Sequence, residues 1–241
     1  MNILMIDTSG PACGVAVMKD GQIVCELQLT SGKTHSQRVM PMVDQALNMC
    51  EMSVGDIDLF GAVVGPGSFT GVRIGVSSVK ALAHAVGKPC IGVDALEALA
   101  ANISFFDGVI CPILDARAQQ VYGAMFEAGM PPVRFMEDEA EKLTLFLDRV
   151  EATGKDALFL GDGVPTLKNA IMERLGDKAH FAPAQHLGLR AASACALAAK
   201  YAEDENNLKD CMTLLPLYLR APQAERERAA KLAAQKENAN G

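Results

Sequence analysis

The glycine-rich segment 65–75 constrains the fold of this chain more than any other feature, because it predicts a tight turn between a strand and a helix. It reads Gly-Pro-Gly-Ser-Phe-Thr-Gly-Val-Arg-Ile-Gly. The apolar run 59–64 before it predicts a buried strand, and the run 76–86 after it predicts a helix. Such a turn leaves backbone N–H groups facing outward at the helix start, where the helix dipole favours an anion.

The spacing of these glycines has two explanations. The segment has no Gly-Lys-Ser or Gly-Lys-Thr ending, so it is not a Walker A loop, and the spacing of Gly65, Gly67 and Gly71 is too long for the dinucleotide-binding fingerprint. Gly71 and Gly75 lie about one helical turn apart, which suits close helix packing as well as the approach of a phosphate. The pattern favours close packing and leaves phosphate binding open.

The net charge of −7 argues against independent binding of nucleic acid. An acidic domain without a basic patch gains little from the release of counterions. The chain has no Trp and only three Tyr, so a base-stacking surface is not expected. Any contact with RNA should therefore depend on a basic partner.

The lack of a long apolar run and the pattern of the cysteines predict a cytoplasmic chain without a membrane span. Half of the residues are hydrophobic, yet no run reaches the roughly 20 apolar residues that a membrane span needs. The chain opens directly into a predicted strand with no basic segment before it, so we expect no signal peptide. Cys13, Cys90 and Cys111 lie in apolar runs, and the seven cysteines lack Cys-x-x-Cys spacing, which is typical of buried thiols in a reducing compartment.

The order of the predicted elements indicates an α/β fold with two similar halves. The first half has predicted strands at 2–7, 13–19, 22–29, 59–65 and 90–93 and helices at 36–50, 70–87 and 94–102. The second has strands at 109–114, 119–127, 133–136 and 157–160, a Gly-Asp-Gly turn at 161–163, helices at 138–150, 165–175 and 188–202, and an extended segment at 214–219.

We therefore divide the chain into an N-terminal lobe (1–105), a C-terminal lobe (106–222) and a tail (223–241). From residue 224 onward Leu232 is the only large apolar residue. The tail is expected to be flexible or a frayed helix, because it cannot form an apolar stripe.

The sequence Asp7-Thr8-Ser9 ends the first predicted strand and opens a turn. An Asp followed by two hydroxyls can hold a phosphate or a metal-bound water, but it can equally form a turn that satisfies its own backbone, which turn preferences favour. Both this turn and the glycine segment should lie at the same end of one sheet, so together they are a candidate nucleotide-phosphate site. Its residues are Asp7, Thr8, Ser9, Gly65, Gly67, Ser68, Thr70 and Gly71.

Blocks spread over nearly the entire chain resemble the TsaB (YeaZ) family. The blocks are Ile3-Leu4-Met5-Ile6-Asp7-Thr8-Ser9, Thr34-His35-Ser36 with Pro41 downstream, the glycine segment 65–75, and Pro216-Leu217-Tyr218-Leu219-Arg220. The glycine segment is the most specific of them. The resemblance implies a two-lobed fold of the actin/hexokinase/Hsp70 (ASKHA) superfamily with duplicated βββαβαβα units.

The same resemblance implies a role in making N6-threonylcarbamoyladenosine at position 37 of tRNAs that read codons starting with A. In that pathway a synthase makes threonylcarbamoyl-AMP. A complex of this family with a catalytic paralogue, TsaD, and a small ATPase, TsaE, then transfers the group to tRNA. The chain is accordingly expected to meet tRNA only through the complex.

This chain departs from the catalytic paralogue at the metal site. That relative carries a His-x-x-x-His pair after the strand that follows the glycine helix, and the aligned positions here are Ala95 and Leu99, which cannot bind a metal. The four histidines have no ligand spacing, and no Ser/His/Asp or Cys/His set can be placed on one site. We therefore expect a pseudoenzyme subunit with no catalytic residue, no metal and no tightly bound cofactor, and ATP or ADP only at the interface of the complex.

Helices 36–50 and 70–87 are the predicted partner surface. Small residues allow close approach of a partner helix and methionines adapt to its shape, although the same side chains could instead pack inside the lobe. A self-complementary patch on a shared fold also predicts a homodimer when TsaD is absent. The predicted interface residues are His35, Met42, Val43, Arg73, Gly75, Ser78, Ala81, Leu82 and Ala85.

Two other functions stay open. One is a stand-alone ASKHA-fold nucleotide phosphotransferase that uses Asp7 or Asp94 as its base. The other is a glycoprotease-like hydrolase, for which the sequence offers no identifiable nucleophile.

Overall fold

The computed structural model describes residues 1–31, 34–117 and 119–220, which contain two five-stranded sheets. In the first sheet the strand order is β3-β2-β1-β4-β5. The β1–β2 and β2–β3 pairs are antiparallel, whereas β1–β4 and β4–β5 are parallel. Its strands are β1 (Ile3–Asp7), β2 (Ala12–Lys19), β3 (Gln22–Thr30), β4 (Leu59–Gly65) and β5 (Cys90–Asp94).

The second sheet repeats this arrangement with the order β10-β9-β6-β7-β8. Again the first three strands pair antiparallel, and the next two are added in parallel beside the first of them. Its strands are β6 (Val109–Asp115), β7 (Gln120–Glu127), β8 (Val133–Lys142), β9 (Ala157–Leu160) and β10 (Ala179–Phe181). The predicted two-lobed α/β fold with duplicated units is thereby confirmed.

The helices cover both sheets and fill the space between them. The helices are α1 (Val39–Met49), α2 (Phe69–Val86), α3 (Ala95–Ala100), α4 (Leu143–Ala152), α5 (Val164–Leu175), α6 (Ala184–Leu187) and α7 (Ala191–Tyr201). Helices α1 and α2 pack on the outer side of the first sheet, and α4 and α5 on the outer side of the second. Helices α3 and α7 share one core with residues of both sheets.

One helix from each half packs against the sheet of the other half. Helix α3 follows the first sheet in the chain but contacts β6 and β7 of the second, and α7 follows the second sheet but contacts β1, β2 and β3 of the first. The division of the chain at residue 105 therefore separates the two sheets, whereas the core between them is common to both.

Two polar clusters also join the halves. Glu26 on β3 accepts hydrogen bonds from the Arg190 guanidinium and from the Ala192 N–H at the start of α7. At the other cluster, Arg134 on β8 donates to Asp94 at the end of β5 (Nη2 to Oδ1, 3.0 Å) and to Asp138.

Most predicted elements are confirmed to within a few residues. The exception is the segment after residue 133, where the prediction of a short strand and a helix from 138 was wrong. Strand β8 continues to Lys142, and α4 begins only at Leu143. Exposed and less exposed side chains alternate along 133–140. The pairing of β8 with β7 extends from Val133 to Lys142 with two register shifts, so strand pairing outweighs the acidic helix-start signal.

The remaining sequence-based expectations concern the cysteines, membrane spans and tail. All seven cysteines are free, and Cys13, Cys90 and Cys111 are buried as predicted. Among the residues that the structure describes, no helix is long and apolar enough to cross a membrane. The predicted tail lies outside the described residues.

Candidate functional site: a cleft between the two sheets

A cleft of about 680 Å³ lies between the two halves, beyond the ends of the parallel strands. In open α/β sheets ligands bind at this end of the strands. Its walls are formed by the β1–β2 turn, the glycine segment, the turns after β6 and β9 and the last described residues of the chain. They include Ser9, Gly10, Pro11, His35, Pro66, Gly67, Ser68, Phe69, Thr70, Asp115, Arg117, Tyr122, Asp162, Leu217, Tyr218 and Arg220.

The Asp7-Thr8-Ser9 turn is closed by its own hydrogen bonds. Asp7 Oδ1 accepts from the Ser9 N–H (2.8 Å) and from the Ser9 hydroxyl (2.7 Å). The Thr8 hydroxyl donates to the Gly71 carbonyl at 2.7 Å. All three residues are at most 2% exposed. Of the three, only Ser9 lines the cleft, so Asp7 and Thr8 hold the turn and the glycine segment together.

The Asp7 carboxyl has a pKa raised to about 6. Burial is the main cause, because a buried carboxyl loses the water that stabilises its charged form. The Ser9 hydrogen bonds and His35 lower the pKa, and the carboxylate of Asp162 across the cleft raises it. Burial also raises the pKa of Asp162. Two carboxyl groups that are costly to ionise therefore lie close to each other, Asp162 in the cleft wall and Asp7 buried behind the β1–β2 turn.

The glycine segment packs against the β1–β2 turn without space for side chains. A Cβ on Gly67 would collide with the Ser9 carbonyl oxygen and a Cβ on Gly71 with that of Thr8. A Cβ on Gly75 would lie 2.6 Å from Thr8 Oγ1. Close packing thus accounts for the spacing of these three glycines.

Internal hydrogen bonds also use two of the N–H groups near the start of α2. The Ser68 N–H donates to the Ser9 carbonyl at 2.7 Å, and the Gly71 N–H donates to the Ser68 side chain at 3.2 Å. Ser9, Gly67, Ser68 and Thr70 line the cleft, whereas Gly65 and Gly71 do not. Nucleotide binding by this set stays a prediction.

Eight of the nine predicted interface residues, all except His35, fall into two groups. Met42 and Val43 on α1, and Gly75 and Leu82 on α2, are buried where these helices pack in the first half. These four therefore offer no exposed side chain to a partner. Arg73, Ala81 and Ala85 are exposed on α2 and Ser78 is partly exposed, so a partner role for them stays a prediction.

His35 lies at the cleft. Its Nε2 is 3.0 Å from the carbonyl oxygen of Gly10, a distance at which a protonated Nε2 donates to that oxygen. His35 thus fixes the β1–β2 turn from the side of the chain that leads into α1.

Several cleft residues were not predicted from the sequence. Asp115 follows β6 as Asp7 ends β1, and Asp162 lies in the Gly-Asp-Gly turn that repeats the glycine turn of the first half. Comparing the two halves would have found both. No sequence signal predicts the stack at the rim, where the Arg73 guanidinium lies 3.8 Å from the centre of the Phe69 ring and its Nε donates to the Tyr218 hydroxyl at 2.7 Å.

The positions aligned with the paralogue's metal-binding histidines are part of the core. Ala95 and Leu99 are fully buried in α3 and contribute to the cluster between the two sheets. In the described part of the chain, no group of three or more His, Cys, Asp or Glu side chains is arranged to hold a metal ion.

Comparisons with known proteins agree over most of the chain. Residues 28–228 match the family model described as "TsaD: tRNA N6-adenosine threonylcarbamoyltransferase". The "tRNA threonylcarbamoyladenosine biosynthesis protein TsaB" of Bacillus subtilis is 35% identical over 226 residues, which cover 93% of this chain and 96% of that protein. The protein of the same name from Escherichia coli is 38% identical over 129 residues, or 53% and 55% of the two chains. The structure of YeaZ from Pseudomonas aeruginosa superposes with a TM-score of 0.76 at 25% identity, covering 90% of this chain and 99% of that one.

Proposed function

Because the chain belongs to the TsaB family of tRNA threonylcarbamoyladenosine biosynthesis proteins, we propose that it is the non-catalytic subunit required for the transfer step of that pathway. In this proposal it works with TsaD and TsaE in the cytoplasm. Together they move the threonylcarbamoyl group from threonylcarbamoyl-AMP to N6 of adenosine 37, in tRNAs that read codons starting with A. The observation that carries the proposal is the alignment with a TsaB protein over almost the full length of both chains.

The arrangement of the described residues favours a non-catalytic role over a catalytic one. Asp7, the carboxyl that the sequence offers as a base, is buried, does not line the cleft, and accepts both of its hydrogen bonds from Ser9. Ala95 and Leu99 provide no metal ligand where the catalytic paralogue has histidines. A base that cannot reach a substrate gives little catalysis.

The exposed side of α2 is the surface that we assign to TsaD. Ser77, Ala81 and Ala85 are exposed and small, with Arg73 exposed at the start of the same side. Small side chains let another helix approach closely, and an Arg beside them can supply an ion pair. The same surface would join two copies of this chain when TsaD is absent.

Reconstitution of tRNA modification tests the proposal. Purified synthase, TsaD, TsaE, ATP, threonine, bicarbonate and an unmodified tRNA are combined with and without this chain, and the modified nucleoside is measured by mass spectrometry. We expect the modified nucleoside only when the chain is present. The chain given the tRNA and threonylcarbamoyl-AMP, without TsaD and TsaE, should produce none. Equal modification without it, or modification by the chain alone, would overturn the proposal.

ATP or ADP at the interface of the complex is a second, separate proposal. It rests on Ser9, Ser68 and Thr70, three hydroxyl residues that line the cleft from the β1–β2 turn and the start of α2. Calorimetry with ATP and ADP on the isolated chain and on its complex with TsaD would measure it. Absence of heat in both samples would end the proposal. Steady hydrolysis of ATP by the isolated chain would instead support the phosphotransferase alternative.

A further inference from the structure

A cysteine and a histidine lie side by side in the wall of a second pocket. This pocket, of about 390 Å³, lies at the end of α2, whereas the start of α2 borders the cleft. The Cys211 Sγ is 3.7 Å from the His84 Nδ1, a distance at which a neutral Nδ1 accepts a hydrogen bond from the thiol. The two residues are 127 positions apart, so the expectation from sequence that no Cys/His set shares one site was wrong for this pair.

The backbone around Cys211 is held in place on both sides. Two residues before it, Lys209 exchanges two backbone hydrogen bonds with Cys90 on β5, both of 2.8 Å. Three residues after it, the carbonyl of Leu214 accepts a hydrogen bond of 3.1 Å from the Lys80 ammonium on α2. Cys211 and Leu214 also belong to the apolar core of the first half. The thiol is therefore positioned beside the imidazole before any reagent arrives.

The charges around the pocket favour an anionic reagent. Lys88 and Lys209 line it together with the carboxylate of Asp210. The Asp210 carboxylate accepts a hydrogen bond from the Met212 N–H at 2.6 Å, and Lys88 lies 3.5 Å from the carboxylate of Asp58. Lys209 is exposed and its ammonium donates only to a backbone carbonyl, so it can attract a carboxylate from solution. The pocket thus combines a thiol, a base and a cation.

We propose that Cys211 is a site of thiol–disulfide exchange with a small anionic disulfide such as glutathione disulfide, and that His84 acts as the base. The His84 Nδ1 takes the proton of the thiol, and the Cys211 thiolate attacks one sulfur of glutathione disulfide. The disulfide bond breaks as the new one forms, and the departing glutathione thiolate takes the proton from the His84 imidazolium. One thiol and one disulfide give one mixed disulfide and one thiol, so no further oxidant is consumed. The proposal requires no part of the function proposed above.

The other cysteines provide the comparison. Four of them are at most 1% exposed, and burial raises the pKa of each thiol, which leaves little of the reactive thiolate. These four are Cys13, Cys90, Cys111 and Cys195. Cys50 is partly exposed directly after α1, so a reagent can reach it without entering this pocket. A special role of the pocket should therefore appear as a difference between Cys211 and Cys50.

The experiment incubates the folded, full-length chain with glutathione disulfide, alkylates the remaining thiols after denaturation and measures glutathione on each cysteine by peptide mapping over time. We expect Cys211 to be modified near pH 7 while Cys111 stays free, and Cys111 also reports any unfolding. In the parent, the ratio of the Cys211 rate to the Cys50 rate should rise as the pH falls from about 9.5 to about 7. At high pH hydroxide produces the thiolate at both residues, so the base matters less.

Two variants separate the base from the cation. His84→Gln, at an exposed position, should slow the reaction of Cys211 by about tenfold or more near pH 7, and the two rates should converge near pH 9.5. The rate at Cys50 should be the same in both chains. Lys209→Met should slow the reaction with glutathione disulfide by roughly two- to fivefold and leave that with uncharged 2-hydroxyethyl disulfide unchanged. The matched control Lys142→Met, an exposed lysine on β8, should change neither rate.

Three results would overturn the proposal. The first is a Cys211 that stays free while Cys50 is modified. The second is a Cys211 rate near pH 7 that His84→Gln leaves unchanged. The third is a disulfide between Cys211 and Cys90 in place of the mixed disulfide. The pH dependence of the parent gives a decisive result without any variant, because equal pH profiles at Cys211 and Cys50 would exclude a base beside Cys211.

Discussion

Asp7 and Asp115 occupy equivalent positions in the two halves, because each ends the first strand of its sheet and accepts a hydrogen bond from the N–H two residues further along. The distances are 2.8 Å to Ser9 N and 2.7 Å to Arg117 N. The turns are alike, but Asp7 is buried whereas Asp115 is exposed. The duplicated scaffold thus repeats its turn chemistry and changes the environment of the carboxyl group.

The buried carboxyl predicts a pH-dependent stability that Asp7→Asn should remove. The pKa of Asp7 rises from 3.8 to about 6 in the folded chain. Since the folded pKa is the higher one, the stabilising contribution is present below about pH 4 and is lost as pH rises through 6. A shift of about two pKa units corresponds to about 3 kcal/mol. Between pH 4 and pH 7 the free energy of unfolding of the parent should therefore fall by about 3 kcal/mol relative to that of Asp7→Asn.

Urea unfolding at a series of pH values measures this difference. Ser9→Ala provides the complementary variant, because it removes a hydroxyl that lowers the pKa of Asp7. Its loss of stability with rising pH should be centred at a higher pH than that of the parent. Parallel curves for the parent and Asp7→Asn would show that Asp7 has no raised pKa.

Gly71→Ala should destabilise the chain although alanine favours helices. Alanine in place of glycine inside a helix usually contributes about 1 kcal/mol. Here the new Cβ would collide with the backbone oxygen of Thr8, and overpacking of this kind costs about 1 to 3 kcal/mol. We expect a net loss of about 1 kcal/mol or more in urea unfolding. The matched control Gly55→Ala, at an exposed position where the nearest atom is 3.6 Å away, should stay within about 0.5 kcal/mol of the parent.

The same glycine shows where prediction from sequence ends. The strand, turn and helix around Gly71 follow from the local pattern of apolar and small residues, and the structure confirms them. Whether the turn binds an anion or packs closely depends on Thr8, which is distant in sequence and is brought beside it by the parallel pairing of β1 and β4. Met42 and Val43 are a similar case, because helical spacing identifies their helix but only the fold shows which side faces the sheet.

Ala81→Arg should disrupt the proposed complex with TsaD without unfolding the chain. Ala81 is exposed on the small-residue side of α2, so a long charged side chain would hold a partner helix away. Co-purification or size-exclusion chromatography with TsaD should show loss of the complex, and the homodimer should dissociate as well. Ala170→Arg on the exposed side of α5 is the matched control and should leave both intact.

An intact complex in Ala81→Arg would show that this side of α2 is not the interface. Gly75→Arg is unsuitable for the same purpose, since even a Cβ at Gly75 would lie 2.6 Å from Thr8 Oγ1. Loss of binding in that variant would report damage to the fold.

Because of the ion-pair cluster around Arg134, the stability of the chain should depend on the charge at position 134 and on pH. Burial and the neighbouring Asp138 carboxyl raise the pKa of Asp94 well above its usual value, and Arg134 is the cation that offsets them. Arg134→Met leaves two carboxyl groups facing each other, with side chains no more than 15% exposed. We expect a loss of about 2 kcal/mol near pH 8, since breaking a largely buried ion pair is costly.

The loss should shrink at acid pH, because protonation of Asp94 removes the repulsion between the two carboxylates. For the same reason, adding Asp94→Asn to Arg134→Met should recover part of the stability at pH 8. Arg174→Met removes an Arg whose partners Asp148 and Glu151 are about half exposed, and this control should change stability by less than about 1 kcal/mol. Equal losses in Arg134→Met and Arg174→Met, independent of pH, would contradict a coupled carboxyl pair between the halves.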